Sequence, residues 1–206
     1  MFGAIRIINN FTKYYSNMKN LFFALISISL FSFTNPGEIT TKTVNTSASK
    51  VVWKGYKVTG EHAGTVNLKS GSLQFEDNQL VGGEFVIDMS SMACTDLPAG
   101  PGKKLVGHLA SPDFFNVAEH GTTSLKITKA VAYADNDYKV VADLTIKGIT
   151  NQIKFIANVV DGNAKANITI DRTDFDIKYG SGTFFDGLAD KTIYDEFDLE
   201  IALVTE

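Results

Sequence analysis

Apolar and polar residues alternate with a period of two along most of the second half of the chain. Tyr138, Val140, Ala142, Leu144 and Ile146 fall on one face of an extended segment, and Lys139, Val141, Asp143, Thr145 and Lys147 fall on the other. Successive strand side chains point to opposite sides, whereas a helix brings its apolar positions back every third or fourth residue. The alternation recurs in Ile153, Phe155, Ala157 and Val159, then in Ala166, Ile168 and Ile170, and finally in Phe197, Leu199, Ile201 and Leu203. Asp135-Asn136-Asp137, Lys147-Gly148 and Asp161-Gly162-Asn163 separate these runs with residues that tolerate tight turns. Fainter strands are predicted over 50–58, 65–69, 72–76, 83–88 and 124–131, with Gly71 and Gly82-Gly83 at turns or bulges.

One interval breaks the pattern. Residues 103–109 read as one or two helical turns, and Ser111-Pro112 ends them, because the residue before proline is pushed out of the α region. Phe114 and Phe115 follow directly. Two adjacent phenylalanines in a strand would face opposite sides, so the pair is expected at an opening, one ring turned inward and the other beneath the helix. The fold predicted is all-β: a single antiparallel barrel of about eight strands, with a short helical insert near 103–110. Closure hides the sheet edges, and a barrel of that size is either filled by side chains or holds one small ligand. An outer-membrane barrel shares the alternation but turns its apolar face outward. The helical insert and the lack of aromatic pairs at the strand ends weigh against it.

Composition narrows the function. Of 206 residues, 44% are apolar and 20% charged, as in ordinary globular chains. The single cysteine, Cys94, excludes a disulfide framework. Arg6, Lys13 and Lys19 are the only charges before residue 37, so the remainder is more acidic than the formal net charge of −4. Nucleic-acid binding needs the opposite sign, and no nucleic-acid partner is expected. Residues 21–33 are wholly Leu, Phe, Ala, Ile and Ser, preceded by Lys19 and broken by Asn35-Pro36-Gly37. The run is shorter than the roughly 20 residues a spanning helix needs, and its flanks are those of a secretory signal. Residues 1–35 are therefore read as a signal peptide, with Met18 as an alternative start. The mature domain covers 40–206, periplasmic or secreted, without a stable transmembrane span after processing; an uncleaved anchor is the alternative. Homo-oligomer formation is left open.

Catalytic and metal chemistry find little support in the spacing. His62, His108 and His120 lack metal-ligand intervals, so no metal or cofactor is expected. His62 and His120 are read as exposed loop residues, and His108 as a helix residue near the 113–115 turn or a polar contact at the barrel mouth. Cys94 has no partner evident from spacing. Tyr179-Gly180-Ser181-Gly182-Thr183 misses a nucleophile elbow by one position, and no catalytic residue is assigned. Asp171 and Asp174 are expected to bond backbone at a strand end or to pair with Arg172.

Four stretches carry a resemblance. His108-Leu109-Ala110-Ser111-Pro112-Asp113-Phe114-Phe115-Asn116-Val117, Asp143-Leu144-Thr145-Ile146-Lys147-Gly148-Ile149-Thr150, Ile170-Asp171-Arg172-Thr173-Asp174-Phe175 and Tyr194-Asp195-Glu196-Phe197-Asp198-Leu199-Glu200-Ile201 stand in the order and spacing of the YceI-like family. The resemblance covers about residues 44–204. It implies an exported, lipocalin-like barrel that binds a polyisoprenoid or another long-chain amphiphile, such as an acyl lipid, inside. Trp53, Tyr56, Phe85, Phe114, Phe115, Tyr138, Leu144, Phe155 and Phe197 are the candidates to line that interior, from their strand face and size. Two rival readings stand beside it. One is an enzyme on a similar lipid, a hydrolase or isomerase. The other is a filled structural or interaction barrel, which a cavity below about 300 Å³ would favour.

Overall fold

The computed structural model describes residues 37–206; the expected signal peptide and its cleavage site lie outside them. Nine strands and one helix follow in order: β1 (Ile39–Thr43), β2 (Lys50–Lys57), β3 (Gly60–Glu76), β4 (Gln79–Cys94), α1 (Ala99–Ala110), β5 (Thr122–Ala134), β6 (Asp137–Ile146), β7 (Ile149–Val160), β8 (Asn163–Asp171) and β9 (Ile193–Leu203). Every pairing is antiparallel. Neighbours run β3-β2-β9-β8-β7-β6-β5-β4, and β4 pairs back onto β3, so eight strands close a barrel. β1 adds no ninth stave. It pairs Ile39–Thr43 with residues 72–76 of β3, in line with β2, which takes residues 60–66 of the same strand. An up-and-down path puts α1 and the β8–β9 loop at one end. The turns Asp77-Asn78, Asp135-Asn136 and Asp161-Gly162 lie at the other. The described chain also begins and finishes at that second end, where Val44 bridges Thr205 and Glu206 N–H donates to Thr43 O.

The alternation predicted for β6 to β9 points inward as a set: Val140, Ala142, Leu144, Ile146, Ile168 and Ile170 are all buried, while Lys139, Lys154 and Lys165 are exposed. This is the reverse of an outer-membrane barrel. The earlier strands are longer than their faint patterns. The segments 65–69 and 72–76 are one strand; the register shift between Leu68 and Ser70 puts an extra residue in β3 and moves its inward parity from Val66 and Leu68 to Leu73 and Phe75. Gly71 is no turn. It lies within β3, where a Cβ would come 2.8 Å from Phe85 Cδ1. The helix starts four residues earlier than 103. Pro101 sits in its first turn, where a missing N–H is harmless, and its three glycines mask the helical pattern. Ser111 closes it, its N–H and Oγ both donating to His108 O.

Two apolar clusters fill the interior. One, toward the hairpin-turn end, gathers Leu73, Phe75, Leu80, Val140 and Leu203. The other joins Leu144, Ile146, Ile168 and Ile170 of the strands to Phe114, Phe175 and Ile177 of the α1 end.

Candidate ligand lumen

Between the clusters runs a cavity of about 260 Å³ that reaches from Leu73 and Leu80 up to Leu105, His108 and Leu109 of α1. Its walls are almost wholly aliphatic and aromatic. Polar side chains, among them His62, Arg172 and Glu196, meet it mainly at the helix end.

Seven of the nine candidate residues contribute side chains from the expected direction: Trp53, Phe85, Phe114, Phe115, Leu144, Phe155 and Phe197 border the lumen. Tyr56 touches only its rim. Trp53 and Tyr56 have opposite parity in one strand, and the Tyr56 hydroxyl donates to Asp198 Oδ2 at 2.6 Å, on the outer face beside Thr169. Tyr138 is buried but not in the lining. It stands at the hairpin-turn end and donates to Gln79 Oε1 at 3.2 Å. Trp53 lies flat across the facing Gly64, where a Cβ would come 2.4 Å from its Cζ2 and 1.8 Å from Ala93 O. Its Nε1 is buried and, among the described residues, meets no acceptor.

The α1 end packs over the expected opening. Phe114 is 4% exposed and packs edge-on to His108, with ring centroids 5.0 Å apart. Tyr179 lies against both, 4.7 Å from His108 and 5.7 Å from Phe114. Phe115 is half-buried and meets Phe197 in a T-shaped contact at 6.4 Å. The turn is fixed by Phe114 N–H to Ser111 O and Phe115 N–H to Leu109 O. Beneath it, the buried Arg172 holds the β8–β9 loop: Nη1 donates to Ile177 O, Nη2 to Ile193 O and Nε to Tyr194 O. Burial draws its guanidinium below the ordinary value, with Asp195 and Asp171 opposing. Its ion-pair partner is Asp195 at 3.4 Å. Asp171 instead caps the following turn, accepting from Thr173 N–H and Oγ1.

The sequence missed one polar group at the rim. His62 lies in β3, not in a loop, and Asp96 joins it to Cys94: Cys94 Sγ donates to Asp96 Oδ1 at 3.0 Å, and His62 Nδ1 lies 3.0 Å from Oδ2. These bonds hold the Asp96 carboxyl down at about 2. Burial, then the Asp96 bond, pushes the Cys94 thiol up, so it stays protonated at neutral pH. The β3–β4 pairing of Gly64 with Cys94 makes the cluster.

The YceI-like domain family model matches residues 43–205. The chain belongs to the YceI-like family. Among curated proteins, a UPF0312 protein of Ectopseudomonas mendocina (strain ymp) is 32% identical over 80 residues, which is 34% of this chain and 42% of that protein, so the match spans less than half of its relative. The fold is shared with Burkholderia cenocepacia BcnA at 20% identity and TM-score 0.63, covering 78% of this chain and 98% of that one. A polyisoprenoid-binding domain from Saccharophagus degradans, implicated in plant cell wall breakdown, aligns at 16% identity and TM-score 0.57, over 82% and 99%. The Campylobacter jejuni YceI protein aligns at 20% identity and TM-score 0.52, over 68% of this chain and 84% of that one.

Proposed function

We propose that the lumen holds the apolar chain of an isoprenoid or acyl lipid, with its polar end at the α1 rim. The carrying observation is the distribution of polarity: an apolar bore whose polar neighbours, His62, His108, Arg172 and Glu196 among them, gather mainly where it meets the helix. Each methylene moved there from water contributes about 0.8 kcal/mol, so a chain binds without catalytic machinery. Membership of the YceI-like family and the polyisoprenoid-binding neighbour support the same reading. The volume limits it. At a share of roughly 30 Å³ per water-sized unit, the lumen takes about eight or nine such units, so a longer lipid must pass the rim or displace the Phe114–Phe115 turn. Export through the N-terminal segment, and residence in the periplasm or outside the cell, belong to the same proposal.

One observation favours the filled barrel instead: 260 Å³ falls below the roughly 300 Å³ of ordinary ligand pockets. Native mass spectrometry of protein purified from its own host, with solvent extraction, separates the two. A bound mass that extracts as lipid supports the carrier. A barrel that is always empty, with lipid-free extracts, sinks it in favour of the filled barrel.

A further inference from the structure

Leu105, His108 and Leu109 recur at three- and four-residue steps along α1, so one face of the helix looks into the lumen. Two of the three are leucines. The third is an imidazole, packed edge-on against Phe114 and Tyr179 with ring centroids 5.0 and 4.7 Å away. Among the described residues neither of its nitrogens has a hydrogen-bond partner; His108 accepts only through its backbone oxygen, from Ser111. Nor is the ring sealed in protein. Trp53 Nε1 is the one side-chain nitrogen or oxygen, among the described residues, that is both buried and unpartnered, so the imidazole nitrogens stay reachable. An imidazole carries a donor nitrogen and, in its neutral form, an acceptor beside it.

The other polar groups at that end are largely committed. His62 is tied to Asp96, the Tyr56 hydroxyl to Asp198, and the Arg172 guanidinium to three carbonyls. Tyr194 and Glu196 are exposed, so water already satisfies them. Thr123 is the rival: it has the inward parity of Leu125 and, among the described residues, a hydroxyl without a partner. Charges bordering the helix end of the lumen balance. Arg172 and Lys57 stand against Glu196 and against Asp195, which lies 3.4 Å from Arg172. No net charge is on hand to hold an ion, and an ion set beside the Phe114 and Tyr179 rings would give up water without a partner. An uncharged oxygen costs far less to bring in, and one hydrogen bond covers it.

We propose that His108 selects the ligand by its polar end, sharing one hydrogen bond with an uncharged oxygen, a hydroxyl or a carbonyl, at the head of the apolar chain. This rests on the lipid-binding reading above and narrows it. A long-chain alcohol or ketone fits the site; a fatty-acid carboxylate or a lipid phosphate does not. The methylenes supply the affinity, the Phe114 and Tyr179 rings hold the imidazole, and its nitrogens discriminate.

The test uses protein purified from its own host and freed of lipid on a hydrophobic resin. Dodecane, dodecanol, decyl methyl ketone and dodecanoate compete with a dansyl-labelled acyl chain for the native protein, His108→Phe, His108→Gln and Thr123→Val. His108→Phe keeps a ring between Phe114 and Tyr179 and removes both nitrogens; His108→Leu, read in the same way, serves where the phenylalanine does not fold. The quantity read is each probe's affinity relative to dodecane, which cancels changes in the lumen itself. For dodecanol or the ketone that ratio should fall roughly tenfold in His108→Phe and recover in part in His108→Gln. Which of the two probes responds tells hydroxyl from carbonyl. Equal ratios in native protein and His108→Phe overturn the proposal. So does a loss confined to Thr123→Val, or native protein that prefers dodecanoate to both uncharged probes. Dodecane that binds while the ratios stay equal defeats this assignment and leaves the carrier reading intact; native protein that binds no probe defeats both.

Discussion

Phe114 and Phe115 are neighbours in sequence with different work to do, and alanine at each should separate stability from ligand release. Phe114 is the enclosed ring, packed by His108, Tyr179 and, at 5.6 Å, the Arg172 guanidinium. Truncating a buried phenylalanine costs about 3–5 kcal/mol. In a domain of this size each kcal/mol lowers the melting temperature by about 2–4 °C, so Phe114→Ala should melt about 6–20 °C below native. Phe115 is half-buried against Phe197 and borders the lumen. Losing half its burial costs about 1–2 kcal/mol, a shift of about 2–8 °C, and removes a wall between lumen and rim. Its main effect should be faster release of a dansyl-labelled acyl chain. Circular-dichroism melts and stopped-flow displacement read the two quantities side by side. If Phe115→Ala melts lower than Phe114→Ala, or if neither changes melting or release, the lid assignment is wrong.

Three further outcomes follow from single contacts. Gly64→Ala drives a Cβ into Ala93 O and the Trp53 ring, and since a backbone oxygen cannot step aside, the loss should exceed the about 1–3 kcal/mol of ordinary overpacking; urea unfolding followed by the single tryptophan measures it, and a native midpoint refutes the contact. Asp96 has its carboxyl lowered, so its bonds to Cys94 and His62 stabilise the fold fully above its ordinary 3.8, and that stability fades as pH falls through 3.8 toward about 2. Asp96→Asn should flatten the stability–pH curve in that window, and parallel curves for the two proteins would falsify the linkage. Asn78→Val places a β-branched residue at φ 63°, which costs about 1–2 kcal/mol in denaturant unfolding, while Asn78→Gly should leave the midpoint at or above native.

The sequence was most legible where one rule acted alone. Through β6, β7 and β8, and in β9 from Phe197 on, the register is unbroken and lysines mark the outer face of β6 to β8, so parity named Leu144, Phe155 and Phe197 directly. In β3 and β4 the register shifts move apolar residues from one parity to the other, and local alternation fades although the strands are the longest in the barrel. Tyr56 shows the cost of choosing by size over parity: three positions from Trp53, it faces the opposite side. Tyr138 has the right parity but the wrong height in the barrel, which depends on register and not on pattern. The Cys94–Asp96–His62 group needed the β3–β4 pairing, since His62 stands 34 positions from Asp96 in the chain.

Both ends of the described chain leave from the side where Val44 meets Thr205, opposite the rim. For anyone handling the protein, that geometry is an advantage. An affinity tag, a fluorescent fusion or a linker to a sensor chip, placed at either terminus of the domain, stands at the sealed pole and leaves α1 and the β8–β9 loop unobstructed. Joining the two ends and reopening the chain at Asp135-Asn136 would keep every handle on that same pole, so permuted forms could be immobilised with the mouth still facing solution.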